Sequence, residues 1–372
     1  MHLYIHIPFC KQACHYCDFH FSTNQTRKME MVFAIAKEIS LQKNYLQNKT
    51  LDTIYLGGGT PSLLTFEELS IIFDSIKASF EIKTDAEITL EANPDDLSEA
   101  NLTVFRSVGI NRLSIGLQSF YEEHLRLMNR AHTAKESLMA VQLAKKAGFD
   151  NLSIDLIYGI PAKNHEIWKQ DLETAIKLGV SHISAYCLTI EPKTTLGTWT
   201  KQKKFVPAED EFAAEQFEIL LETLTKNGFE QYEISNFAKK QKYSKHNTSY
   251  WLQEEYLGVG PSAHSFNLTS RQSNISNNSK YLTLLDEGKV PFSKEILTNE
   301  DIVNEYLLTG LRTIWGCEID KIEKLDATWM EKNIDSLNNF QVQNLISILE
   351  NKLILTPKGR LFADKIVSDL FI

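Results

Sequence analysis

The stretch C-K-Q-A-C-H-Y-C-D-F places cysteines at positions 10, 14 and 17 and supplies no fourth nearby. Three thiolates crowded into one short loop cannot form a sensible disulfide framework, and the chain's five cysteines are an odd number, so a reducing compartment and a metal fit the pattern better. Two occupants compete. Zinc takes four ligands in a tetrahedron and would recruit His6, His15 or His20 as its fourth. A cubane iron–sulfur cluster usually takes four cysteines; held by three, it keeps one iron open to a substrate or cofactor. The first is a structural centre, whereas the second turns an electron carrier into a catalyst.

Other polar residues recur at regular intervals. Gly57, Gly58 and Gly59 let backbone approach a ligand without interference from Cβ, and no Gly-Lys-Ser/Thr follows to make a phosphate loop. Glu91 ends E-I-T-L-E, where a buried carboxylate is costly unless it is paired. Gln118, Arg130 and Asp155 stand in N-R-L-S-I-G-L-Q-S-F, L-M-N-R and S-I-D-L-I-Y-G-I-P; taken singly, each reads equally well as a surface or salt-bridge residue.

What positions these residues is a repeated order of strand and helix. Alternation and apolar runs predict six strands at 2–8, 53–59, 87–93, 112–118, 151–159 and 182–190, with helical patterns over 29–47, 65–78, 135–147 and 166–178. Such an α/β order predicts parallel βαβ units with right-handed crossovers, either a partial barrel or an open doubly wound sheet. Gly59, Glu91, Gln118, Asp155 and Thr189 fall at or near the C-terminal ends of five successive strands. Barrels gather their sites on that rim and open sheets at a single switch point, so a partial (β/α)6 barrel is expected.

The texture changes after residue 230. The expected organisation is a core over 1–235, a linking segment over 236–298 with a loop or linker at 270–279, and a smaller, mainly helical C-terminal domain over 299–372. That domain would end in a wing-like hairpin, with 353–364 read as a strand, a turn at 357–359 and a second short element. Cys187 and Cys317 read as buried apolar thiols.

C-x-x-x-C-x-x-C with an aromatic residue, Tyr16, before the last cysteine resembles the signature of the radical S-adenosylmethionine (SAM) superfamily. That resemblance implies a [4Fe-4S] cluster on Cys10, Cys14 and Cys17, with S-adenosylmethionine on the open iron as the source of a 5′-deoxyadenosyl radical. It implies further that G-G-G-T-P lines the methionine end of the cofactor through Gly58, Gly59 and Thr60. Tyr4, Glu91, Gln118, Arg130 and Asp155, with Thr189 on the same rim, are similar to cofactor-binding positions of the oxygen-independent coproporphyrinogen III oxidase-like family.

Within that family the chain resembles the HemW heme chaperone group more than the oxidases. The oxidase pattern carries one more cysteine two residues after the third, where this chain has Phe19, and an N-terminal extension, where this chain has nine residues before Cys10. H-N-T-S-Y-W, 246–251, is similar to the HemW motif H-N-x-x-Y-W. An imidazole there can ligate iron and the neighbouring aromatics can cover a macrocycle, which implicates His246, Tyr250 and Trp251 in heme contact. The same residues could instead begin a strand with the ring buried. His264, in G-V-G-P-S-A-H-S-F, is a second possible iron ligand, and the lysines at 239, 240, 242 and 245 are either partners for heme propionates or a solvated face. The implied function is binding of heme and its delivery to heme-requiring proteins, among them respiratory and other heme proteins near the membrane. A radical decarboxylase acting on coproporphyrinogen III and a zinc-stabilised binding protein are the alternatives; a homodimer stays open.

Composition bounds these readings. The 372 residues are 43% hydrophobic, enough for a full core, and the formal net charge of -9 shows no broad basic face, so nucleic acid is not an expected partner. No secretion signal or membrane span is apparent, so the expected address is the cytoplasm, at most peripheral to a membrane.

Overall fold

A computed structural model describes residues 1–372. Six parallel strands build the core: β1 His2–Ile7, β2 Thr50–Gly58, β3 Glu81–Ala92, β4 Arg112–Gln118, β5 Asn151–Tyr158 and β6 His182–Cys187. They lie side by side in sequence order with no reversal, as in a barrel wall; a doubly wound sheet would reverse at a switch point. The antiparallel pair β7 Phe229–Glu233 and β8 Asn236–Lys239 extends the wall beyond β6. On the other side β9 Tyr256–Val259 pairs in parallel with β1, followed by antiparallel β10 His264–Phe266, β11 Ser270–Asn274 and β12 Phe292–Ile296. The sheet ends at β12 and β7, which leaves the barrel partial.

The crossovers carry helices α1 Lys28–Leu41, α2 Phe66–Ser79, α3 Glu99–Ser107, α4 Glu122–Leu127, α5 Ala134–Lys146 and α6 Glu166–Lys177; α7 Thr195–Lys201 and α8 Asp210–Lys226 follow β6. Capping boxes start two of them, Thr65 with Glu68 on α2 and Thr133 with Glu136 on α5, each satisfying backbone N–H groups that a helix start leaves open. No helix is long and apolar enough to cross a membrane.

Strand periodicity explains the layering. Leu3, Ile5 and Ile7 on β1, Ile54 and Leu56 on β2, Leu113, Ile115 and Leu117 on β4, and Leu152, Ile154 and Leu156 on β5 form one phase, packed with the helices in a single core of 54 buried residues. The opposite phase is polar: Tyr4, Tyr55, Glu91, Arg112, Ser114, Asp155, His182 and Ser184. Buried parallel strands usually read as continuous apolar runs. Here they alternate because the inner face lines a polar cavity.

The segment at 270–279, expected as a loop or linker, instead supplies β11 and the start of α10 Asn278–Asp286, where Asn277 caps the helix by accepting from the Lys280 N–H. Its Ser/Asn composition misleads because Ser270, Gln272 and Asn274 point inward into hydrogen bonds; Asn274 donates to Glu38 and to the Gly260 carbonyl. H-N-T-S-Y-W forms neither a loop nor a strand. It is α9 Lys245–Trp251, capped by Ser244.

After residue 298 a second core of 17 buried residues gathers α11 Asn299–Gly310, α12 Ile319–Glu323, α13 Trp329–Val342 and α14 Ala363–Asp369 around a three-stranded sheet, β13 Cys317–Glu318, β14 Ile346–Leu349 and β15 Lys352–Leu355. The wing-like hairpin turns at Glu350–Asn351 rather than at 357–359. Both turn residues are left-handed, with φ of 48° and 66°, the backbone that a two-residue hairpin loop demands. Pro357 lies past the hairpin, ahead of a short 3-10 turn at Gly359–Phe362.

Candidate functional site

A cavity of about 800 Å³ opens at the C-terminal ends of β1 to β6. Cys10, Cys14 and Cys17 line it, each half-buried, together with Tyr4, Gly58, Gly59, Thr60, Glu91, Gln118, Arg130, Asp155, Thr189, His246 and Tyr250. Trp251 and His264, both singled out in the sequence for heme contact, are missing from it. Trp251 lines an adjoining cavity of about 650 Å³ that shares Tyr4, Gly58, Glu91 and Tyr250 with the first.

The cysteine loop is fixed at its base and along its length. The Cys10 N–H donates to the Ser22 carbonyl at 3.1 Å and the Ser22 N–H to the Pro8 carbonyl at 2.9 Å. From the neighbouring strand end, the Gly59 N–H donates to the Ile7 carbonyl at 2.9 Å and the Thr60 N–H to the Phe9 carbonyl at 2.7 Å. A Cβ on Gly59 would fall 2.6 Å from the Phe9 oxygen, so the glycine is what allows the two segments to touch. The far side of the loop is held by the turn after α4: Asn129 Nδ2 donates to the Ala13 carbonyl at 2.8 Å and the His15 N–H to the Met128 carbonyl at 3.0 Å.

That turn delivers Arg130. Its guanidinium lies 3.3 Å from Cys14 Sγ and donates to Asn93 Oδ1 at 2.6 Å and to the Gly116 carbonyl at 2.8 Å, while its Nε is buried with no partner. A cation so placed, touching a sulfur and no carboxylate, suits an anionic occupant on the thiols. Burial pushes the Cys10 thiol up to about 11, against a hydrogen bond from Thr60, and raises Cys17 as well. Loading a metal group here would therefore release protons.

Lower in the cavity, the Tyr55 hydroxyl donates to Glu91 at 2.7 Å and the Gly58 N–H donates at 3.1 Å. Burial still outweighs these bonds and raises the Glu91 carboxyl to about 7; Asp155, bonded by Ser114 at 3.3 Å, is raised by burial to about 6. Gln118 ends β4 at a bulge with φ of 67°, which aims its side chain at the rim. Thr189 lies two residues past the end of β6, which stops at Cys187.

His6, His15 and His20, the sequence's options for a fourth zinc ligand, do not line the thiol cavity. His6 is bonded to Tyr4 at 3.1 Å and to the His20 carbonyl at 2.8 Å, His15 to the Leu127 carbonyl at 2.8 Å, and His20 to Asn278 at 2.7 Å. His246 is 1% exposed at the cavity floor. Its ring pairs with Thr53 at 2.6 Å and Tyr250 at 2.9 Å and stacks on Tyr55 at 4.9 Å. The four lysines of the basic run are exposed and line neither cavity, which is the solvated-face reading. Cys317 is buried as expected, but Cys187 is exposed at the end of β6, because the strand ends there and its side chain joins the cavity rim.

Sequence reading passed over Tyr55, Asn93, Arg112, Ser114, His182 and Ser184, all cavity-lining. The signal was present as the polar phase of the strand alternation, in register across the sheet: Glu91 beside Ser114, and Asp155 between Gly116 and Ser184.

Residues 4–175 match the model of the Radical SAM superfamily. The chain is 34% identical to the heme chaperone HemW of Bacillus subtilis (strain 168), over 98% of this chain and 97% of that protein. It is 32% identical to the heme chaperone HemW of Lactococcus lactis, over 96% and 93% respectively. Among solved structures, coproporphyrinogen III oxidase (HemN) from Escherichia coli superposes with a TM-score of 0.86 over 99% of this chain and 89% of that one; at 23% identity this establishes the fold alone.

Proposed function

The chain belongs to the radical SAM superfamily and, within it, to the family of the HemW heme chaperones, and on that footing we propose that it binds heme and delivers it to heme-requiring proteins. The observation that carries the reading is the convergence of the three thiols, Arg130, the Gly58–Thr60 segment and the strand-end residues on one cavity. In this reading Cys10, Cys14 and Cys17 hold a [4Fe-4S] cluster, whose chemistry when bound is that of an iron open to the amino and carboxylate groups of S-adenosylmethionine. Arg130 supplies a buried positive charge beside Cys14, and Thr60 donates toward Cys10. Tyr4, Gly58, Gly59, Glu91, Gln118, Asp155 and Thr189 bind and orient the cofactor. Gly58 and Gly59 do so by backbone approach and Glu91 by its carboxyl, which Tyr55 keeps turned to the Gly58 N–H.

Phe19, at the place where the oxidase pattern has a further cysteine, is 72% exposed and lines both cavities, which favours an apolar cargo over decarboxylation chemistry there. Residues 299–372, with their own core, serve as a separate small domain. Cytoplasmic heme acceptors, or acceptors at the membrane surface, complete the proposal.

The test is anaerobic reconstitution with iron and sulfide, followed by two incubations. The wild-type protein is expected to turn brown and Cys14→Ala to stay pale. Reduced holoprotein with S-adenosylmethionine and coproporphyrinogen III is expected to form no protoporphyrinogen, while heme-loaded protein passes heme to an apo-heme protein such as apomyoglobin. Turnover of the porphyrinogen would overturn the chaperone reading. A colourless protein holding stoichiometric zinc would overturn the cluster.

A further inference from the structure

Heme needs an iron ligand with a free lone pair and a flat apolar slot beside it. The residue offered first by sequence meets neither condition. His246 is sealed at the cavity floor, and its two ring nitrogens are both taken, by Thr53 and by Tyr250. Turning it to iron would break two short hydrogen bonds in a buried setting and leave Thr53 and Tyr250 without those partners.

The adjoining cavity offers what the floor of the first does not. Its volume of about 650 Å³ lies within the range of ordinary cofactor sites, and its walls carry Phe19, Trp251, Tyr256 and Phe266. Trp251 keeps its indole N–H without a partner in the protein. His264 starts β10 and, by the strand's period of two, shares a face with Phe266. Its side chain lines the cavity, the residue is exposed, and neither ring nitrogen bonds to any protein group. Arg271, on the paired strand β11, lies over the Phe266 ring at 4.6 Å and is itself held by Glu305 at 2.6 and 2.7 Å.

We infer that heme seats in this second cavity, between Phe19 on the cysteine loop and the β9–β10 wall, with His264 as the protein ligand to its iron. The inference rests on the chaperone reading and adds where the cargo sits. Tyr4, Gly58, Glu91 and Tyr250 belong to both cavities, so cargo and cofactor would share one wall.

The experiment titrates hemin into the full chain, reconstituted anaerobically with its cluster, and reads the Soret band and affinity of wild type, His264→Ala, His264→Cys and His246→Ala. Circular dichroism and the cluster absorbance report folding of each. His264→Ala is expected to weaken heme binding by about tenfold or more and to move the Soret maximum. His264→Cys is expected to acquire the absorption of thiolate-ligated ferric heme, a gain that misfolding cannot imitate. Wild-type protein that takes up no heme overturns the chaperone reading, and this inference with it. Wild-type binding that His264→Ala leaves at the same affinity and wavelength overturns the inference alone, and a change in His246→Ala would then return the ligand to the cavity floor.

Discussion

Replacing Glu91 by glutamine isolates the cost of keeping a carboxylate at the cavity floor. The group titrates near 7 in the folded protein against 4.5 when free, raised first by burial, lowered in part by the Tyr55 hydrogen bond and raised again by Asp155. A carboxyl whose folded pKa is raised favours the fold while it is protonated. Its contribution is complete below pH 4.5 and is lost as pH climbs through 7. Each pH unit in that window removes about 1.4 kcal/mol, so the penalty is about 1 kcal/mol at pH 5 and about 3 kcal/mol by pH 8. Glutamine cannot ionise, yet its carbonyl can still accept from Tyr55 and from the Gly58 N–H. Urea unfolding of the cluster-free protein, followed by barrel tryptophan fluorescence, should therefore find Glu91→Gln more stable than wild type by about 3 kcal/mol at pH 8 and by about 1 kcal/mol at pH 5. The same variant should bind S-adenosylmethionine more weakly, the usual exchange of function for stability at a binding site. A gain that is equal at the two pH values, or a loss at both, would refute the account.

Gly59→Ala should cut iron and sulfide content after reconstitution while leaving the far-UV spectrum near wild type, because the added methyl collides with the Phe9 and Ile7 carbonyls that set the cysteine loop; iron and acid-labile sulfide analysis reads it. Trp329 is fully buried in the C-terminal core and donates from Nε1 to the Leu370 carbonyl at 2.9 Å. Trp329→Ala should destabilise that unit by about 3–5 kcal/mol. If the unit is a separate domain, calorimetry will show an early transition split from that of the barrel, with cluster absorbance retained.

The parallel core was legible because β1 to β6 carry a strong period of two between helix signals, and their ends differ from the expected ones mainly at the starts of β2 and β3 and at the tail of β6. The site residues were legible for the same reason, since Gly59, Glu91 and Gln118 each lie within one residue of a strand's end and line the cavity. The β9–β12 wall was hidden. Ser270, Gln272 and Asn274 look like linker residues until Glu38 is seen; this buried carboxylate takes bonds from Asn274, Tyr281 and the Gly260 N–H, across more than two hundred residues of sequence. His246 illustrates a different limit: its motif was visible, but Thr53 and Tyr250, which occupy its nitrogens, become neighbours only through packing.

The position of β1 has a consequence for the order of events during synthesis. This strand carries the cysteine loop at its end, is synthesised ahead of β2 to β15, and pairs on one side with β2 and on the other with β9, where His2 sits opposite Tyr256. Roughly 250 residues of chain must be made before that second flank exists, a long closure of the kind that comes late in folding. Until then the nascent barrel presents its cysteine loop at an open edge, and the β9–β10 wall with His264 is absent. The thiols are thus accessible to metal loading before the proposed cargo cavity has formed, and a chain arrested short of β9 would have a complete cysteine loop and no place for heme.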